Sequence, residues 1–171
     1  LTPDCQMLQA GGLTFRVTRW HVGGPATPLL FLNGIGADAN LAAPLLRRIT
    51  GREVWTLDMP GTGASPDCFW PYSAQSLSRA VMGVADQLGH DRLDIAGFSW
   101  GGALAQQVAG QFPERIGHMA LLATASQIGL ADIGWGAAFD RDVVRGSMRM
   151  PVVSPLGLTY QHLAMAGWSN M

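Results

Sequence analysis

A chain of 171 residues, 48% hydrophobic and only 13% charged, carries enough apolar content to bury one well-packed domain, which argues against a disordered chain. The formal net charge is −1, and the eleven basic residues are all arginine and thinly spread, so nucleic acid and anionic membrane surfaces are poor candidate partners. The leading LTPDCQMLQAGG lacks a basic or apolar signal region, and no apolar run reaches the roughly eighteen residues of a membrane span; a soluble, cytoplasmic protein is expected.

Residues 5–10 and 13–20 alternate polar and apolar around Gly11-Gly12, the pattern of an antiparallel hairpin. His21 follows it and reads as a solvated loop residue. Cys5 and Cys68 have no metal-ligand spacing and are expected to be free thiols; no metal site is expected. The runs 28–32 (PLLFL), 53–57 (EVWTL), 92–98 (RLDIAGF) and 117–123 (GHMALLA) are short and strongly apolar, as strands buried on both faces are. Helical spacing occupies 39–49, 74–88 and 100–112, the last closed by Pro113. Strands alternating with helices of this length predict an α/β fold, a mostly parallel sheet with helices on both faces.

After Thr124 the alternation stops. Residues 125–171 are rich in Gly, Met, Trp and Pro and read as an incomplete cap or lid over a core spanning 1–124. An open sheet edge after 117–123 would favour self-association.

The segment Gly97-Phe98-Ser99-Trp100-Gly101 lies between an apolar strand and a helix. In such a GxSxG turn the backbone bends sharply and lifts the serine hydroxyl above the sheet. Gly97 and Gly101 are glycine because side chains there would collide where the backbone turns most tightly. The competing reading is that Ser99 only caps the following helix.

Upstream, Asn33-Gly34-Ile35-Gly36 follows the first parallel strand. The two motifs together resemble the α/β-hydrolase fold, and the resemblance implies an oxyanion hole made by the backbone N–H groups of Ile35 and Trp100, with Gly34 and Gly36 shaping the turn. Residues 58–65 (DMPGTGAS) resemble the DxxGxGxS turn of the same fold, which would shape the loop beneath the site. Their glycines lack GxGxxG spacing, so no dinucleotide or other cofactor is expected.

In that fold the acid and histidine follow the serine, on loops after later strands. His90 and His118 precede or open strands, which places them at the opposite edge of the sheet, on the order of 15–20 Å from Ser99. His162, within TYQHLAMAGW, is the histidine that could approach the mouth, although it also reads as a polar residue on an amphipathic helix. Asp67, Asp140 and Asp142 lack the strand-loop context of a triad acid. The expectation is a chain that stops before its acid and base and is by itself inactive.

PLLFLNGIGA, LDMPGTGAS, GFSWGGALAQQVAGQFPERI and LLATAS together resemble the intracellular medium-chain-length poly(3-hydroxyalkanoate) depolymerases. The resemblance implies polyester hydrolysis through an acyl-enzyme on Ser99, with Ile35 and Trp100 holding the oxyanion. Trp135, Phe139, Met148, Met150, Met165 and Trp168 would suit an apolar acyl chain or a granule surface, and equally a cap core. Two other readings stay open: a catalytically inactive fragment or acyl-binding module, and a different esterase, thioesterase or C–C hydrolase on the same scaffold.

Overall fold

The hairpin pattern forms β1 (Asp4–Ala10) and β2 (Leu13–Trp20), joined by Gly11 and Gly12, both at positive φ as a two-residue turn with the twist of its flanking strands demands. The computed structural model describes residues 2–124, so the cap segment with His162, Asp140, Asp142 and its Trp, Phe and Met residues lies outside the described residues. The remaining elements are β3 (Ala26–Leu32), α1 (Ala39–Leu46), β4 (Arg52–Asp58), α2 (Ala74–Gln87), β5 (Leu93–Phe98), α3 (Trp100–Gln111) and β6 (Ile116–Leu122). They build a sheet ordered β1-β2-β4-β3-β5-β6. The first two pairings are antiparallel and the other three parallel.

Side chains alternate across a strand, so each run feeds both faces. Leu30, Leu32, Trp55, Leu57, Leu93 and Ile95 pack with α2 and α3 in the larger core. Phe31, Val54 and Ala96 turn the other way, toward Trp20 and the buried Ala39, Ala42, Ala43 and Leu46 of α1. Helices therefore cover both faces of an α/β sheet, as the crossover rule requires. Along β6, the edge strand of the described sheet, Met119, Leu121 and Leu122 are exposed. Among the described residues no helix is long and apolar enough to cross a membrane.

Local chemistry sets the helix ends. Asp38 caps α1 by accepting from the N–H groups of Asn40 and Leu41, and Ser73 and Ser76 close a reciprocal capping box on α2. Helical spacing through residue 49 overshoots α1, which stops at Leu46. Its last turn tightens into three-residue bonds, Arg48 N to Leu45 O and Ile49 N to Leu46 O, before Gly51 turns the chain at φ +79°.

At the amino-terminal edge of the parallel strands, Glu53 is buried and receives both Arg19 Nε and Nη2 at 2.9 Å, with His90 Nε2 also 2.9 Å away. Burial pushes this carboxyl up, but the Arg19 and His90 contacts more than offset it and hold it below the ordinary glutamate range. Its stabilisation is thus complete above the unfolded-state value and lost as pH falls through the lower folded value. Glu53→Gln is expected to cost about 2–3 kcal/mol at pH 7. In urea titrations, the gap between wild type and variant should close as pH drops below about 4; a gap independent of pH would refute this assignment.

Candidate active site

Three parallel strands deliver their carboxyl ends to one place. Leu32 of β3 is level with Gly97 of β5, and Phe98 is level with Leu122 of β6. Neighbouring strands lie about 4.8 Å apart, so residues 33–36 run beside the 98–100 turn. Contact is direct: a Cβ built on Gly34 would stand 3.3 Å from Cδ1 of Phe98. Gly36 carries the turn onward at φ +70°.

Ser99 has φ +53° and ψ −119°, a conformation that costs a non-glycine residue about 1–3 kcal/mol and persists only where the surroundings impose it. The surroundings do impose it. Its N–H donates to Leu122 O at 2.9 Å, and its carbonyl accepts from Gly102 N at 2.9 Å, so β6 and α3 hold it from both sides. A side chain on Gly97 would run into the backbone of Gly101 and Gly102, and one on Gly101 into the carbonyls of Leu32 and Asn33. The turn can approach β3 this closely only without those side chains.

Although Ser99 occupies the cap position of α3, its hydroxyl makes no capping hydrogen bond. Helix capping therefore does not account for this serine. It stands at the positive end of the α3 dipole, where developing negative charge is favoured. Trp100 is fully buried and Ile35 is partly buried against the larger core. An apolar hollow of ≈ 270 Å³ opens beside the turn, bordered by Gly34, Leu41, Leu45 and the half-exposed Phe98.

The 58–65 turn is built around Asp58, which is fully buried at the end of β4. Its carboxylate accepts Ala39 N at 2.8 Å and Ala64 N at 3.1 Å, joining the start of α1 to the loop, with Arg16 Nη1 3.5 Å away. Ser65 Oγ donates to Asp58 O at 2.6 Å and accepts Arg16 N at 2.8 Å. Burial raises the Asp58 carboxyl above the ordinary aspartate range despite these donors. Both oxygens are engaged in shaping the floor of the site.

The three described histidines are employed elsewhere. His90 sits on Glu53, His118 Nδ1 lies 3.0 Å from Asp94 Oδ1, and His21 Nε2 lies 3.3 Å from Arg47 O. His118 falls between the Leu93–Ile116 and Ile95–Met119 pairs, roughly 15 Å below Ser99 along the strands. Among the described residues no group of three or more His, Cys, Asp or Glu could hold a metal ion. Cys5 and Cys68 are free thiols, the second buried.

Sequence reasoning missed the two charged clusters on Glu53 and Asp94. The second joins Arg52 and His118 to a carboxylate held below the ordinary range, burial being outweighed by its two partners. The signal was available: an acid inside an otherwise apolar strand, in REVWTL and in RLDIAGF, requires a buried partner.

Comparison with known proteins agrees with the architecture. Over 101 residues the chain is 41% identical to a poly(3-hydroxyalkanoate) depolymerase of Ectopseudomonas oleovorans, covering 58% of this chain and 36% of that protein. It is 32% identical to the dihydrolipoyllysine-residue acetyltransferase component of an acetoin cleaving system of Pseudomonas putida, covering 94% of this chain and 45% of that protein. The chain thus spans less than half the length of these curated relatives. The solved enol-lactonase of Burkholderia xenovorans superposes with a TM-score of 0.70 at 23% identity, covering 94% of this chain and 72% of that one, a likeness of fold. The alpha/beta hydrolase fold family matches residues 27–153, and with the parallel sheet and the strand–serine–helix turn in place, this chain belongs to it.

Proposed function

We propose that the protein is a serine hydrolase of carboxylic esters with Ser99 as its nucleophile, acting in the cytoplasm on a medium-chain poly(3-hydroxyalkanoate). The observation that carries this reading is the strained Ser99 at the head of α3, whose hydroxyl is not spent on capping the helix. Ser99 Oγ attacks the ester carbonyl as its proton passes to a base, which then delivers it to the departing alkoxide oxygen. The carbonyl oxygen becomes an oxyanion facing the N–H groups of Ile35 and Trp100, and the alcohol departs to leave an acyl-enzyme that water hydrolyses. Gly34, Gly36, Gly97 and Gly101 serve this by letting the two loops close on each other. The proton acceptor and its acid partner are assigned to no described residue.

The polyester substrate rests on the 41% identity to the depolymerase, and the apolar hollow beside Gly34 and Phe98 suits an alkyl side chain. Labelling tests the nucleophile directly. A fluorophosphonate probe added to the full-length protein should attach to the peptide containing Ser99, and attachment should vanish in Ser99→Ala. Equal labelling of that variant, or none of the wild type, would refute the assignment.

A further inference from the structure

The segment between β4 and α2 shows two large aromatic side chains to water: Phe69 is 87% and Trp70 76% exposed. They are not the tip of a loose loop. Cys68 before them and Tyr72 after them are both buried in the larger core, and Pro71 restricts the backbone between, so the segment is pinned on either side of the pair. The two rings meet edge to face with centroids 5.9 Å apart, packing on each other.

Topology sets the direction in which the pair faces. β4 ends at Asp58 at the carboxyl end of the parallel strands, and α2 starts back from Ala74, so the connection lies at the same end of the sheet as Ser99. Half-exposed Phe98, beside Ser99, adds apolar surface at that end.

Charge narrows the partner. From Met59 to Tyr72 the chain carries one charged residue, Asp67, two positions before Phe69, and no Arg or Lys. Attachment to an anionic phospholipid surface uses basic residues beside the apolar anchors, and a carboxylate there is repelled. An uncharged, water-insoluble ester surface has neither requirement.

We infer that Phe69 and Trp70 form an interfacial anchor that docks the Ser99 end of the molecule onto the neutral surface of a solid polyester. The inference rests on the polyester reading of the site, but its test does not depend on turnover. Full-length protein carrying Ser99→Ala is mixed with poly(3-hydroxyoctanoate) latex, or with phosphatidylglycerol vesicles, and the bound fraction is measured by sedimentation. Each aromatic side chain offers on the order of 150–250 Å² to such a surface. Adding Phe69→Ser and Trp70→Ser should therefore weaken latex binding about tenfold or more. Leucine at both positions should restore most of it, and far-ultraviolet circular dichroism and the thermal midpoint verify that each variant is folded.

Undiminished latex binding by the serine pair overturns the inference, as does absence of binding by the parent. Preferential binding to the vesicles identifies a membrane anchor and also overturns it. A dimer on size exclusion that the serine pair dissociates identifies an interface between copies and overturns it equally. Failure of the fluorophosphonate to label Ser99 would sink the nucleophile assignment while leaving the latex result to stand alone.

Discussion

Ser99→Ala in the full-length protein is expected to lower hydrolysis of a medium-chain p-nitrophenyl ester by about a thousandfold or more, with the residual rate coming from the oxyanion hole and binding. The substitution removes one oxygen that makes no capping hydrogen bond. Alanine meets the same difficulty as serine at φ +53°, so the turn gains no new strain. Stability should accordingly stay within about 0.5 kcal/mol of wild type. A large rate loss with an unchanged urea midpoint marks a chemical role; retention of more than about a tenth of the rate would place the nucleophile elsewhere.

Gly101→Ala is expected to fail for the opposite reason. Its new methyl group would overlap the carbonyl oxygens of Leu32 and Asn33, and both are backbone atoms at the end of a central strand that cannot swing aside. Overpacking of this kind costs about 3 kcal/mol or more, and relief requires α3 to move away from β3. That movement carries Ser99 and Trp100 away from the 33–36 turn, so rate and stability should fall together. Gly110→Ala provides the control on the same helix. A Cβ there meets nothing within 4 Å, and alanine in place of a helical glycine should stabilise by about 0.5–1 kcal/mol. If the two variants gave similar urea midpoints, the close approach of α3 to β3 would not be what requires glycine at 101.

These two expectations separate what each residue contributes. In the proposed reading Ser99 is the reacting group, held in place by others, and Gly101 is one of the residues that hold it. Asp58 belongs to the second kind, because the carboxylate that opens the 58–65 turn is consumed by the N–H groups of Ala39 and Ala64. Its position in an acid–glycine–serine motif close to the site could suggest catalysis, yet its burial and bonding describe a brace. Glu53 and Asp94 act likewise at the far edge of the sheet, where they engage His90 and His118.

Much of this was legible in the sequence because it depends on near neighbours. Alternation in LTFRVTRW defines a strand with one buried face, the apolar runs define the parallel strands, and helical spacing followed by Pro113 closes α3 before the three-residue 3₁₀ turn. Of those parallel strands, β4 and β5 are covered on both faces, whereas β6, expected to be so, is largely exposed at the edge of the described sheet. Glycines at 97 and 101 around a strand-to-helix turn imply close approach, since only the absence of Cβ allows it. Spacing could not decide the end of α1, because a terminal turn that tightens to three-residue bonds keeps its apolar positions while leaving the helix.

Other features were settled only by the tertiary structure. That β4 lies between β2 and β3 follows from how six strands share two cores, which no local period encodes. The Ser99 hydroxyl is free of helix capping because Leu122 and α3 grip its backbone in a conformation unlike that of an ordinary cap, and Leu122 is 23 positions away in the chain. The ion pairs of Glu53 join residues 34 and 37 positions apart. Periodicity and turn chemistry act over a few residues and so can be read directly, whereas register, burial and the pairing of distant charges exist only once the chain has closed on itself.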